Sequence, residues 1–167
     1  ETIILTRRPI GVVAGILPWN FPFFLMARKA GASLIAGCTI VMKPSQLTPE
    51  NCCTFAEVVE EAGLPAGVIN IVTGKGSVVG HAMAASPKID VVSVTGSVSA
   101  GQSIMAAASE NITKVSLALG GKAPAIVFAD ADLEQAAQWI LDSRIGNNGQ
   151  ICNNAERVYV QSSVKDE

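Results

Sequence analysis

Short apolar runs alternate with stretches of helical period along most of the chain. Residues 12–17 read as a strand closing on Pro18. Residues 23–36 are apolar at helical spacing, interrupted only by Arg28 and Lys29, with Gly37 as a stop. A β-branched run over 39–42 predicts a second strand, ended by Lys43-Pro44. Thr48-Pro49-Glu50 has the form of a helix start, Thr48 capping and Pro49 in the first turn, and the helix runs to about residue 62. Strands follow at 68–72, 91–94 and 115–119. The first leads through the Gly-rich stretch 74–80 into a short helix, the second through 95–101 into an Ala-rich helix ending near Ser109. Apolar strands alternating with helices predict a parallel sheet covered on both faces, a doubly wound α/β domain. After Lys122 the rhythm restarts: a strand at 125–128, a helix over 132–144 capped by Asp130 or Asp132, and a strand at 158–161. These divide the chain into a domain over 1–121 and the first elements of a second over 122–167.

Composition narrows what such a fold could do. The chain has 167 residues, 49% of them apolar and 16% charged, with a net charge of −2. That is enough apolar material for a sizeable core. Without a basic patch, nucleic acid and anionic membranes are disfavoured as partners, and no apolar run is long enough to cross a bilayer. Cys38, Cys52, Cys53 and Cys152 have no zinc spacing, and adjacent Cys52 and Cys53 in a helical stretch make a poor disulfide. The expectation is reduced thiols, a cytoplasmic setting and no metal. His81 is the single histidine, so any Cys-His or Ser-His scheme would have to use it. The chain opens without Met in a strand-like run and reads as an excerpt.

In an open parallel sheet, ligands bind beyond the carboxyl ends of the strands. There the sequence places Pro18-Trp19-Asn20, Lys43-Pro44-Ser45, residues 74–80, residues 95–101 and residues 119–122. The two Gly-rich turns lead into helices and offer bare backbone N–H groups to a phosphate, although neither is a Gly-x-Gly-x-x-Gly fingerprint or a P-loop. Asn20, between two prolines, is either a rigidly held amide donor or a helix cap. Lys29, on an apolar helix, either reaches to water or faces a polar cleft. Cys152 sits in a polar turn, Asn147-Asn148-Gly149-Gln150-Ile151-Cys152, which can present a thiol, while a buried inert cysteine is the plainer alternative.

Taken together, Pro18-Trp19-Asn20-Phe21-Pro22, Lys43-Pro44-Ser45, Thr95-Gly96-Ser97 with Gly101, Leu119-Gly120-Gly121-Lys122 and Gly149-Gln150-Ile151-Cys152 resemble the NAD(P)-dependent aldehyde dehydrogenase superfamily, in the family's order and over essentially the whole chain. Asp130-Ala131-Asp132-Leu133-Glu134 and residues 155–160 are most similar to its lactaldehyde and glycolaldehyde branch. The resemblance implies a Rossmann-like domain followed by the start of a catalytic lobe, oxidation of a small aldehyde to its acid with NAD, and assembly of the full-length form as a homo-oligomer. It implies that Cys152 thiolate attacks the carbonyl, with the Asn20 amide and the Cys152 backbone N–H holding the oxyanion. A thioester on Cys152 follows hydride transfer. Lys29 matches a proton-relay lysine. Lys43 would bind the adenosine ribose, Ser97 and its helix the pyrophosphate, and Gly76 and Gly96 would admit the cofactor closely. Trp19, Ser45, Gln46 and Gly80 complete the implied cofactor contacts.

Three departures qualify the resemblance. Ala118 stands where the family pattern has the glutamate that activates the thiol and the deacylating water. A methyl group accepts no proton, and loss of a general base costs roughly a hundred- to ten-thousand-fold. Gln46 stands where NAD-preferring members often carry Glu, so repulsion of a 2′-phosphate is lost and NADP is also admitted. The chain ends soon after Cys152, without the family's downstream glutamate, substrate-pocket wall and oligomerisation strand, which would leave apolar surface open to self-association. Two other readings are a CoA-acylating dehydrogenase, which needs no water-activating base, and a catalytically dead nucleotide-binding or structural fragment.

Overall fold

The computed structural model describes residues 2–167 and divides into two compact units, the first ending at Leu119 and the second spanning Gly120–Glu167. In the first unit, five strands form one parallel sheet: β1 (Val12–Ile16), β2 (Thr39–Lys43), β3 (Ile69–Ile71), β4 (Val91–Thr95) and β5 (Lys114–Ala118), in the order β3-β2-β1-β4-β5. The chain steps outward from β1 to β3, then returns to β4 on the other side of β1. The topological switch therefore falls between β1 and β4, where the strand carboxyl ends open a crevice.

Helices α1 (Pro22–Ile35) and α2 (Glu50–Glu61) pack on one face of the sheet. Val13, Leu17, Met26, Ala30, Ile40, Met42 and Cys52 form the core there. A π-helical turn over Gly76–Gly80, the short α3 (His81–Ala84) and α4 (Val98–Ala108) cover the other face, around Ala14, Val92, Val94 and Ile104. Alanines along α4 let it approach closely. At Gly101 an added Cβ would lie 2.8 Å from a Leu119 methyl.

Three sequence expectations change. Thr48 does not cap α2: Pro49 takes that position with no side-chain cap bond, and the buried Thr48 hydroxyl has no partner. Of the two readings of Asn20, the cap of α1 drops out, because Phe21 occupies that position and makes no side-chain cap bond. Finally, the sheet is not covered throughout. On the α1 side, Lys114, Ser116 and Ala118 of β5 stay exposed, while Val115 and Leu117 turn toward α4. The run 115–119 looked apolar from end to end because leucine, valine and alanine outnumber its one serine. The structure reads it as an alternating strand.

The second unit contains a two-stranded parallel sheet, β6 (Pro124–Val127) with β7 (Arg157–Val160), and α5 (Leu133–Ile145). Asp132, rather than Asp130, caps α5, its carboxylate accepting from Gln135 N–H at 3.0 Å. No residue of α5 is fully buried. Ile126, Phe128, Trp139, Leu141, Val158 and Tyr159 are all at least half exposed, so this unit carries more apolar surface than it can enclose. Among the described residues no helix is long and apolar enough to cross a membrane.

Candidate active site

The carboxyl ends of β1, β2, β4 and β5 bring the predicted strand-end motifs of the first unit to one edge of the sheet. Leu17 N–H donates to Lys43 C=O at 3.0 Å, and Gly96 N–H to Ala118 C=O at 3.0 Å. The segments around Pro18-Trp19-Asn20, Lys43-Pro44-Ser45, Thr95-Gly96-Ser97 and Ala118-Leu119 are thus fixed by backbone hydrogen bonds to neighbouring strands.

Ser97 caps α4, its hydroxyl accepting from Ala100 N–H at 3.2 Å and lying 3.0 Å from the Ser99 hydroxyl. Eleven residues follow in the helix, enough for its amino end to carry a useful positive potential. The glycines divide into two kinds. Gly74 and Gly101 are required by packing, since a Cβ would come within 2.6 Å of Val79 and 2.8 Å of Leu119 respectively. Gly76 would meet nothing, and Gly96 only Ala100 at 3.8 Å. A glycine that the chain's own packing does not demand leaves bare backbone for something outside it. Gly80 is intermediate: its Cβ would make ordinary contacts with Ile16, Ile104 and the Lys43 stem.

Lys43 is buried, its ammonium donating to Pro44 C=O at 2.7 Å, and burial lowers its pKa. Ser45 Oγ accepts from Leu47 N–H at 3.2 Å, which shapes the turn, and Gln46 next to it is exposed. The Trp19 indole is partly exposed.

Lys29 resolves to the polar-cleft alternative. Its stem crosses β1 at Gly15, where a Cβ would lie 3.6 Å from Lys29 Cδ and closer still to Met42 and Ile40. Nζ then donates to Ser93 Oγ at 2.7 Å. Gly15, Ser93 and Ser116 share one line of register across β1, β4 and β5, so a lane of small residues runs under the ammonium. Burial, and secondarily the neighbouring Arg28 charge, bring the Lys29 pKa down to about 8. The cavity here has a volume of about 280 Å³, and Ala118 forms part of its wall. Ser93 and Ser116 were absent from the sequence reading. Their signal was a polar residue interrupting Val91-Val92-Ser93-Val94 and Val115-Ser116-Leu117, which is easily passed over when a strand is scored as apolar.

In the second unit, Cys152 is an exposed free thiol, not a core cysteine. The turn before it places Asn147, Asn148 and Gly149 at φ of 48°, 54° and 76°, left-handed geometry that Asn and Gly tolerate best. Buried Asn154 anchors the loop from the other side, its amide donating to Arg144 C=O at 3.1 Å, and Ala155 N–H donates to the Ser143 hydroxyl at 3.3 Å. Lys122 pairs with Glu156, and Arg144 approaches the same carboxylate at 3.8 Å. The Lys122 hydrogen bond is the main reason the Glu156 carboxyl titrates below its usual range. Arg157 Nε donates to Lys122 C=O at 2.9 Å. The lysine of the Leu-Gly-Gly-Lys motif thus braces the strand pair that leads out of the thiol loop.

A parallel sheet whose β4 runs through Gly96 into a capped helix at the topological switch defines a Rossmann-like class of chain. The comparison with known proteins specifies the family: the Aldehyde dehydrogenase family model matches residues 1–167, and the chain belongs to that family. It is 60% identical over 167 residues to lactaldehyde dehydrogenase of Escherichia coli K12, covering all of this chain and 35% of that protein. A solved 3,6-anhydro-L-galactose dehydrogenase in complex with NAP superposes with a TM-score of 0.89 at 50% identity, over 95% of this chain and 33% of that one. A mutant of aldehyde dehydrogenase C from Pseudomonas syringae, complexed with NAD+ and octanal, gives 0.90 at 43% identity, over 94% and 32%. The chain therefore spans about a third of the length of the relatives it matches.

Proposed function

We propose that this chain is the central part of an aldehyde dehydrogenase that oxidises a small aldehyde, such as lactaldehyde or glycolaldehyde, to its acid with NAD, NADP also being admitted. Residues 1–121 form its dinucleotide-binding domain and 122–167 the start of its catalytic domain. The observation that carries this reading is the meeting of the Asn20, Lys43, Gly96-Ser97 and Ala118 segments at the carboxyl edge of one parallel sheet, in a chain 60% identical to lactaldehyde dehydrogenase.

The residues fit the cofactor. Ser97 and the amino end of α4 would hold the pyrophosphate, Lys43 and Ser45 the adenosine ribose, and Gly76, Gly80 and Gly96 would leave room for its approach, with Trp19 at the edge. Lys43 would have to give up its bond to Pro44 C=O to reach a ribose. Gln46 carries no charge against a 2′-phosphate. A nicotinamide held there would supply the hydride acceptor. Cys152 is the nucleophile: its thiolate adds to the carbonyl carbon, and loss of hydride leaves a thioester on its sulfur. The Asn20 amide donates to the carbonyl oxygen as charge builds there. Deacylation then needs a base to take a proton from water, and Ala118 offers none. Turnover is therefore slow, by roughly two to four orders of magnitude relative to a glutamate at that position.

The experiment is a rapid-mix record of NADH formation with NAD and lactaldehyde, for the chain and its Ala118→Glu variant. The expected result is a burst near one equivalent that stops in the first and continues in the second. Equal steady-state rates would refute the role given to residue 118. A burst that continues only when coenzyme A is added would move the reading to an acylating dehydrogenase. No burst from either folded protein would leave a nucleotide-binding or structural fragment.

A further inference from the structure

The turn that carries Cys152 is held at both of its ends by the close of α5. Asn154 N–H donates to Ile151 C=O at 3.2 Å, the bond of a β-turn with Cys152 and Asn153 at its two central positions. Burial follows the same order: Ile151 is half-buried, Cys152 and Asn153 are exposed, and Asn154 is only 3% exposed. Ile151 rests on Gly146, where a Cβ would lie 3.4 Å from its Cδ1. Asn154 reaches one turn of chain further back, its side-chain amide donating to Arg144 C=O at 3.1 Å. The last carbonyls of a helix have no amide of their own helix to accept from. This one bond therefore closes the end of α5 and fixes the fourth residue of the turn.

We propose, on the reading that Cys152 is the nucleophile, that Asn154 is a positioning residue for it. Its backbone N–H closes the turn and its side chain ties that turn to α5, so it acts through Cys152 and not on the reacting atoms. The sulfur and the Cys152 backbone N–H both belong to the second residue of the turn. A turn that opens displaces the attacking atom and an oxyanion donor together, and a misplacement of about 1 Å costs on the order of a hundredfold. Without the amide, the Arg144 carbonyl loses this partner and the fourth residue is free to swing away from the helix.

The test compares the 167-residue chain with its Asn154→Asp, Asn154→Ala and Asn153→Ala variants, by 15N relaxation of the loop amides and by the rapid-mix NADH burst with NAD and lactaldehyde. Asn154→Asp keeps the size and, while ionised, lacks the donor. Asn154→Ala removes the whole amide and serves if a buried carboxylate disturbs folding. In both, the order parameters of the Cys152 and Asn153 amides should fall from about 0.85 to below about 0.6. The burst rate constant should fall about ten- to a hundredfold at unchanged amplitude. Asn153→Ala should change neither. Acid should restore the order parameters in Asn154→Asp, whose protonated carboxyl can again donate to Arg144 C=O, and not in Asn154→Ala; a mere loss of packing would not respond to pH in one variant alone. Order parameters that stay near about 0.85 in both Asn154 variants would overturn the proposal. So would a burst that keeps its rate constant, or equal loosening by Asn153→Ala. A parent chain without a burst would refute the reading of Cys152 as nucleophile, while the order parameters would still decide whether Asn154 holds the turn.

Discussion

Replacing Lys29 by Met tests whether the ammonium is held at a cost. Met keeps most of the stem that lies over Gly15 and removes the charge. The Lys29 pKa falls from 10.5 to about 8 in the folded chain, first through burial and then through Arg28. Below about pH 8 both folded and unfolded chains carry the proton, and the native state bears the whole cost. Between about pH 8 and 10.5 the unfolded chain binds more protons than the native one, so stability rises with pH and the cost disappears. At about 1.4 kcal/mol per pH unit the span is about 3 kcal/mol, reduced to on the order of 2 kcal/mol because the cavity is open to water on one side. Loss of the Ser93 hydrogen bond takes back about 1 kcal/mol. Lys29→Met should therefore be about 1 kcal/mol more stable than the parent at neutral pH, and should lose that advantage by about pH 10.

The assay is urea unfolding followed by Trp19 fluorescence in a Trp139→Phe background, so that only the first unit is observed, with linear extrapolation at each pH. The difference between variant and parent is the quantity to read. Buried Cys52 complicates either curve alone: burial, then its neighbour Cys53, raise its pKa from 9.0 to about 11. The unfolded thiol ionises first, so stability falls above about pH 9, and this contribution cancels in the difference. A difference that stays flat across the range would refute the reasoning and mean that Lys29 is as well solvated as an unfolded lysine.

Gly11→Ala should destabilise the first unit by roughly 2–3 kcal/mol in the same assay, because φ there is 125° and the new Cβ would fall 2.1 Å from the Asp90 carboxylate that accepts from Val12 N–H. Asp132→Ala should lower the stability of the second unit, read by Trp139 fluorescence, by about 1 kcal/mol through loss of the α5 cap. Under native conditions a maleimide should label Cys53 and Cys152, which are exposed, and spare buried Cys38 and Cys52. Mass spectrometry of the peptides reads the outcome.

Much of the fold was legible because its signals are local. Strand and helix periods, Pro22 at the start of α1 and Asp132 before α5 all act within a few residues. The cap went wrong at Thr48 because a capping residue type marks a neighbourhood, while the hydrogen bond depends on the backbone angles of one position. Asn20, Lys43 and Ser97 could be picked out as candidates because they break the apolar pattern near glycine or proline, and Cys152 because it sits in a polar turn. Lys29 could be noticed but not placed, since its partner Ser93 lies on a strand far along the chain. That pairing exists only because β1, which carries Gly15, sits between β2 and β4. Lys122 with Glu156 was equally invisible, since nothing in the spacing of a lysine and a glutamate on either side of a helix reveals that two strands will run parallel.

The position of β1 also bears on how the chain comes off the ribosome. It precedes the four other strands of its sheet along the chain and is the central one. Its β2 edge is covered once Thr39–Lys43 has emerged, but Val13 cannot meet Val91 until α2, β3 and α3 have all been synthesised. For that interval one edge of the strand presents unpaired amides, a template for wrong partners. Its middle residues are Ala14 and Gly15, poor strand formers with almost no side chain to grip a stranger. The lane that lets Lys29 cross the finished sheet is thus also a brake on misassembly while the sheet is incomplete.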